Sequence, residues 1–180
     1  WQQGGMAENS TDCVLFFRSD LLELEYHYCI GTTLRYIELY ELSSLQGGPD
    51  TQHLTVVTAH LKAGTGEEAQ RCSEVQQLLD YMTANGLETE NIIFAGDFNF
   101  YRSSEDGYQA LLAEDVFRDP LDRPGNWHDN EEFEDIHTQS TRSTAFGGGA
   151  SGGMDDRFDI ILASDELFDD AGWELSLIHI

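Results

Sequence analysis

Apolar and polar positions along the chain fall mostly into short segments with strand spacing, interrupted by one longer segment with helical spacing. Residues 12–18 (DCVLFFR) and 21–28 (LLELEYHY) predict two short strands joined at Ser19 and Asp20. Residues 34–42 (LRYIELYEL) alternate in part, as a half-buried strand does. A turn is expected at 46–50 (QGGPD), and the mostly apolar, β-branched run 54–60 (LTVVTAH) reads as a buried strand. Thr65 with Glu68 has the spacing of a capping box, and Ala69, Cys72, Val75, Leu78, Leu79 and Met82 then recur at helical spacing. Asn85-Gly86 supplies a left-handed stop. Residues 91–95 (NIIFA) predict a central strand, and Ser103 or Ser104 caps a second helix running to about Glu114. Residues 119–156 read as loop, long enough to suggest a functional segment. Residues 157–163 (RFDIILA) return to strand. Alternation of strand and helix makes this an α/β (α+β) chain.

Composition narrows the function classes. Against 34 Asp and Glu stand 9 Lys and Arg, a formal net charge of −25, and Lys62 is the only lysine. Such a chain repels polyanions unless a cation intervenes, which argues against a broad basic track for nucleic acid. A phosphoester substrate would need a divalent metal and a few arginines to supply local positive charge. Arg102, Arg123, Arg142 and Trp127 are the candidates for a small groove, although a tryptophan is more often core packing. No apolar run reaches the length of a membrane span. Cys13, Cys29 and Cys72 lack zinc-type spacing and read as small buried residues or a single disulfide.

Three strand ends carry the candidate chemistry. Gly96-Asp97-Phe98-Asn99 follows an apolar strand directly, and the glycine allows a sharp turn that projects Asp97 and Asn99 at the strand's C-terminal edge, where sites gather in α/β sheets. His60 ends a second strand. Asp159 lies inside the apolar run of a third, and a buried carboxylate there needs a partner. Each feature alone is more often structural; the three together are not.

The segments TAHLKAG (58–64), NIIFAGDFNF (91–100) and DDRFDIILAS (155–164) resemble, in order and rough spacing, the endonuclease/exonuclease/phosphatase superfamily that includes the deoxyribonuclease-I-like enzymes. VLFFRSD (14–20), the strand led by Arg35 and the helix with Arg71 and Glu74 extend the resemblance, and HTQSTR (137–142) resembles a bacterial branch. The resemblance implies a four-layer sandwich of two mixed β-sheets flanked by helices. It also implies metal-dependent hydrolysis of phosphodiester bonds by in-line attack of water. In that frame His60 contacts the scissile phosphate, Asp97 positions the attacking water, and Asn99 fixes Asp97 and a phosphate oxygen. Asp159 orients the general-base histidine, with Asp156 a competing candidate for that role. Arg35 and Arg142, with Asn99, are the expected substrate contacts. Asp97 and Asn99 are the expected holders of magnesium, or of manganese or calcium.

Departures from the family pattern set further expectations. The metal-ligand glutamate of the first strand and the aspartate-histidine pair of the last have no counterpart here, so residues 1–174 are expected to be a domain truncated at both ends and inactive alone. Residues 175–180 (LSLIHI) can be translated from the end of a transposon used to prepare sequencing libraries, and read as an adapter scar, with a short apolar strand as the alternative. The expected partner is a phosphoester, with nucleic acid and small or lipid phosphoesters both open, and a monomer is expected. Localisation stays open, secretion from a bacterium included. The rival reading is a non-catalytic binding module on the same fold.

Overall fold

The computed structural model describes residues 2–3, 13–46, 51–87, 91–113, 116–144, 152–168 and 173. The expected scar at 175–180, most of the 46–50 turn, the Glu114 end of the second predicted helix and Gly147 to 151 lie outside them.

The strands are β1 (Gln2–Gln3), β2 (Phe16–Phe17), β3 (Leu22–Gly31), β4 (Tyr36–Ser44), β5 (His53–His60), β6 (Ile92–Asp97) and β7 (Asp159–Ala163). Helix α1 (Glu68–Asn85) connects β5 to β6, and α2 (Asp106–Leu111) follows β6. The main sheet has the order β3-β4-β5-β6-β7, with β5 and β6 parallel and every other pair antiparallel. A parallel neighbour requires a crossover, and α1 provides it. This is a mixed sheet of an α/β chain, as expected. The described residues form one such sheet and the separate β1–β2 pair; the expected second full sheet is not formed among them.

Period-two alternation sorts the sheet into two faces. Ile37 and Leu39, Val57 and Ala59, Ile92 and Phe94, and Ile160 and Leu162 join Val75, Leu78 and Met82 of α1 and Tyr108 and Leu111 of α2 in one buried core. Residues on the opposite face include Glu38 and Tyr40, Thr58 and His60, Ala95 and Asp97, and Asp159 and Ile161, in register across the strands. That second face carries the candidate chemistry, and Ile161 on it is exposed.

Helix ends differ from expectation for reasons the side chains make plain. The Thr65–Glu68 capping box does not form: α1 starts at Glu68 with Glu67 at its N-cap and no side-chain cap. The Glu68 carboxylate instead bonds Arg102 at 2.7 Å. Ala69 is exposed and does not join the stripe, whereas the stop at Gly86 is left-handed (φ 68°) as read. Neither Ser103 nor Ser104 caps α2, whose N-cap is Glu105; the Ser103 hydroxyl accepts from Gly125 N at 2.9 Å. Among the described residues 13–18 only Phe16–Phe17 is strand, and β7 begins at Asp159, because Arg157 turns inward to Asp119. The described residues of the 119–156 segment are loop, as expected, apart from a short 3-10 helix at Glu131–Ile136.

Candidate active site

Strand register assembles the site. His60 lies opposite Asp97 across the parallel β5–β6 pair, and Asp97 lies opposite Asp159 across β6–β7. Three residues from distant parts of the chain therefore stand in one row at one end of the sheet. His60 Nε2 is 3.5 Å from Asp97 Oδ2. Gly96 makes the row possible: a Cβ there would sit 1.9 Å from the Ala59 carbonyl oxygen, and its φ is +156°.

Asn99 sits just past the strand in the left-handed region, φ 52°. Its backbone N–H donates to Asp97 Oδ1 at 3.2 Å, and its side-chain Nδ2 donates to the Leu61 carbonyl at 3.2 Å. The amide oxygen is the group left for a ligand. Arg35 donates to the His60 carbonyl at 3.4 Å, which puts it beside the row. Thr138 clamps β7 at its start, accepting from Asp159 N at 2.9 Å and donating to Asp159 O at 3.2 Å.

Burial pushes the Asp97 carboxyl above its ordinary value; His60 opposes the rise, Asp159 adds to it, and the Asn99 N–H and Arg35 oppose it. Asp159, expected to be buried, is exposed at the start of β7; its partial desolvation still raises its pKa, against the Thr138 hydrogen bond and the His60 charge. Two adjacent carboxylates that are costly to ionise are what a bound cation relieves. With the Asn99 oxygen they are hard donors of the kind magnesium takes, and they fit it as part of a ligand set. The row opens into a cleft of about 300 Å³ lined by Cys13, Val14, Thr58, His60, Asp97 and Asp159 among others.

Other candidates fall elsewhere. Arg142 is exposed on the 137–144 loop and is not part of the cleft lining. Asp156, the alternative to Asp159, is buried off the row, where its Oδ1 meets His128 Nδ1 at 2.9 Å. Burial raises its pKa, with His128 opposing. His128 escaped the sequence reading because its partner is 28 residues away in a loop. The small basic groove does not assemble from its proposed members. Arg102 pairs with Glu68 and Arg123 with Asp135, while Trp127 is fully buried under Arg157 and Tyr108. A larger hollow of about 560 Å³ lies by Tyr108, Arg118, Asp119 and Asp165, where Arg118 pairs with Asp165 and Asp119 with Arg157.

Solved structures share this architecture. An endonuclease/exonuclease/phosphatase family protein from Bacteroides thetaiotaomicron superposes with a TM-score of 0.56 at 13% identity, covering 84% of this chain and 54% of that one. The fold is that of endonuclease/exonuclease/phosphatase proteins. A mannosyl-6-phosphatase from the same species has a TM-score of 0.54 at 14% identity, covering 84% of this chain and 56% of its own. D. rerio TDP2 in complex with single-strand DNA product has a TM-score of 0.52 at 20% identity, again covering 84% and 56%. The chain thus spans little more than half the length of the endonuclease/exonuclease/phosphatase structures it matches. No family model and no curated protein matches the sequence.

Proposed function

We propose that this chain supplies part of the active site of a metal-dependent hydrolase of phosphodiester bonds, acting by in-line attack of water. The observation that carries the reading is the row His60–Asp97–Asp159 with Asn99 at its end, at one edge of this fold. Asp97 orients the water and His60 stabilises charge on the scissile phosphate. Asn99 fixes Asp97 and a phosphate oxygen, Arg35 meets the substrate's negative charge, and Arg142, on the exposed loop outside the cleft, meets only a substrate that extends beyond it. Asp159 orients an imidazole that acts as general base. Asp97 and Asn99, with Asp159 adjacent, would hold magnesium, which supplies charge stabilisation to the developing transition state when bound.

A net charge of −25 and the paired arginines favour a small phosphoester or a strand end over a long duplex. Both a mannosyl-6-phosphatase and a protein holding a single-strand DNA product share the fold, which supports a phosphoester without choosing between these substrates. In the whole protein, a monomer by our reading, a second sheet completes a four-layer sandwich, and the 180-residue chain alone is expected to show no turnover.

The test is hydrolysis of bis-p-nitrophenyl phosphate and p-nitrophenyl phosphate by the chain within its full reading frame, with magnesium and with EDTA. Turnover that needs the metal and falls about 10²–10³-fold in Asp97→Asn supports the proposal. Turnover indifferent to EDTA or to that substitution sinks it.

A further inference from the structure

A second cluster occupies the same sheet face, two residues back from the His60 row and toward the β3 edge. Cys29 lies opposite Glu38 and His27 opposite Tyr40 across the β3–β4 pair, while Glu38 lies opposite Thr58 of β5. We propose that His27, Cys29 and Glu38 form a site for a zinc-class transition-metal ion, distinct from the candidate active site and independent of its chemistry.

Geometry carries the proposal. His27 Nε2 is 3.1 Å from Glu38 Oε2, and Cys29 Sγ is 3.7 Å from His27 Nε2, with all three ligand atoms within 4.8 Å of one another. A tetrahedral zinc ion with ordinary bond lengths has nitrogen–oxygen edges of roughly 3.4 Å and sulfur–nitrogen edges of roughly 3.6 Å. The His27–Glu38 and Cys29–His27 edges are thus close to those of a bound ion, and Cys29 and Glu38 lie within 4.8 Å of each other. Thiol, imidazole and carboxylate together select zinc or cobalt over magnesium, the preference opposite to that of the Asp97 row.

Glu38 is the independent observation. Its side chain is fully buried, yet Oε1 has no hydrogen-bond partner among the described residues. Leaving a carboxylate oxygen desolvated and unpaired is costly, and a cation in the cluster repays that cost. The neighbouring groups are arranged as outer-shell supports. Tyr40 donates its hydroxyl to Glu38 Oε2 at 2.5 Å, and its ring stacks on His27 at 4.6 Å with 6° between planes. Cys29 is exposed, so an ion has an entry path from the sheet edge.

The test is titration of the reduced 180-residue chain with cobalt(II), followed by displacement with zinc. One equivalent of cobalt is expected to produce a thiolate-to-metal charge-transfer band, more strongly as pH rises because the thiol must lose its proton. Cys29→Ser should abolish the band, and His27→Ala and Glu38→Gln should each weaken zinc binding at least about 10-fold. Asp97→Asn should leave it unchanged, and circular dichroism checks that each variant is folded. Absence of the band in the folded, reduced chain overturns the proposal. So does a band that survives Cys29→Ser, which would place the ion on another cysteine.

Discussion

Arg71 of α1 and Glu105 at the start of α2 form a buried ion pair of 2.7 Å, and their remaining bonds hold the two loops that present the candidate active site. Arg71 Nη1 donates to the carbonyls of Lys62 and Gly64, at 2.9 and 2.8 Å, just after His60. Glu105 Oε1 accepts from Tyr101 N at 2.7 Å, just after Asn99. One pair thus fixes both ends of the His60–Asp97 row from behind. Breaking it leaves an uncompensated buried charge, so Arg71→Met or Glu105→Leu alone should cost about 3–5 kcal/mol. Urea unfolding reads that loss; a double variant that costs less than either single confirms coupling, and additive losses would show that the pair does not act as a unit.

Asp97 should depress stability at neutral pH. Its folded-state pKa is raised, chiefly by burial. The folded state therefore binds the proton more tightly than the unfolded one. The resulting stability is fully present below the ordinary carboxylate pKa and is lost as pH rises through the folded pKa. Asp97→Asn removes this cost, so its Tm at pH 7 should exceed that of the unaltered chain by about 2 °C. The gain should vanish below the ordinary carboxylate range. A gain that persists unchanged in acid would assign it to some other cause, as functional residues that cost stability are expected to titrate it away.

The sheet was legible because each of its central strands is marked by β-branched or apolar runs with chemistry at one end. His60, Asp97 and Asp159 were each visible as a polar residue bounding or interrupting such a run. Their adjacency was not, since it depends on β5 and β6 being parallel and β7 antiparallel, with Asp97 at the centre of the row. Helix starts were misread where a carboxylate had a better partner: Glu68 leaves its capping box for Arg102, and Glu105 leaves solvent for Arg71. The His128–Asp156 and His27–Glu38 contacts join residues 28 and 11 positions apart. No local pattern announces contacts of that kind. Trp127 looked available for a groove and is core, because its indole N–H finds the Arg123 carbonyl at 2.9 Å inside the loop that buries it.

Gly96→Ala should be among the most damaging single substitutions. The added methyl meets backbone, the Ala59 carbonyl oxygen, and no side chain can move to accommodate it. Ala59 and Gly96 are partners in the parallel pair that sets His60 against Asp97. The substitution should cost about 3 kcal/mol or more, the upper end for overpacking. A Gly96→Ala chain with unaltered unfolding would refute this close approach.

Asn99 separates backbone conformation from side-chain chemistry. Its φ of 52° strains any residue with a Cβ other than those that tolerate the left-handed region, and its amide spends one hydrogen bond on Leu61. Asn99→Ala should lose roughly 2 kcal/mol, combining about 1 kcal/mol of strain with about 1 kcal/mol for the hydrogen bond. Asn99→Gly removes the strain and keeps the N–H that donates to Asp97, so its loss should stay near 1 kcal/mol. Neither variant retains an amide oxygen for a phosphate or a metal. If Asn99 acts through that oxygen, both variants should lose magnesium-dependent turnover in the whole protein to the same extent despite their different stabilities. If the glycine variant keeps its turnover, Asn99 serves only to bend the chain after Asp97, and its substrate and metal roles fall.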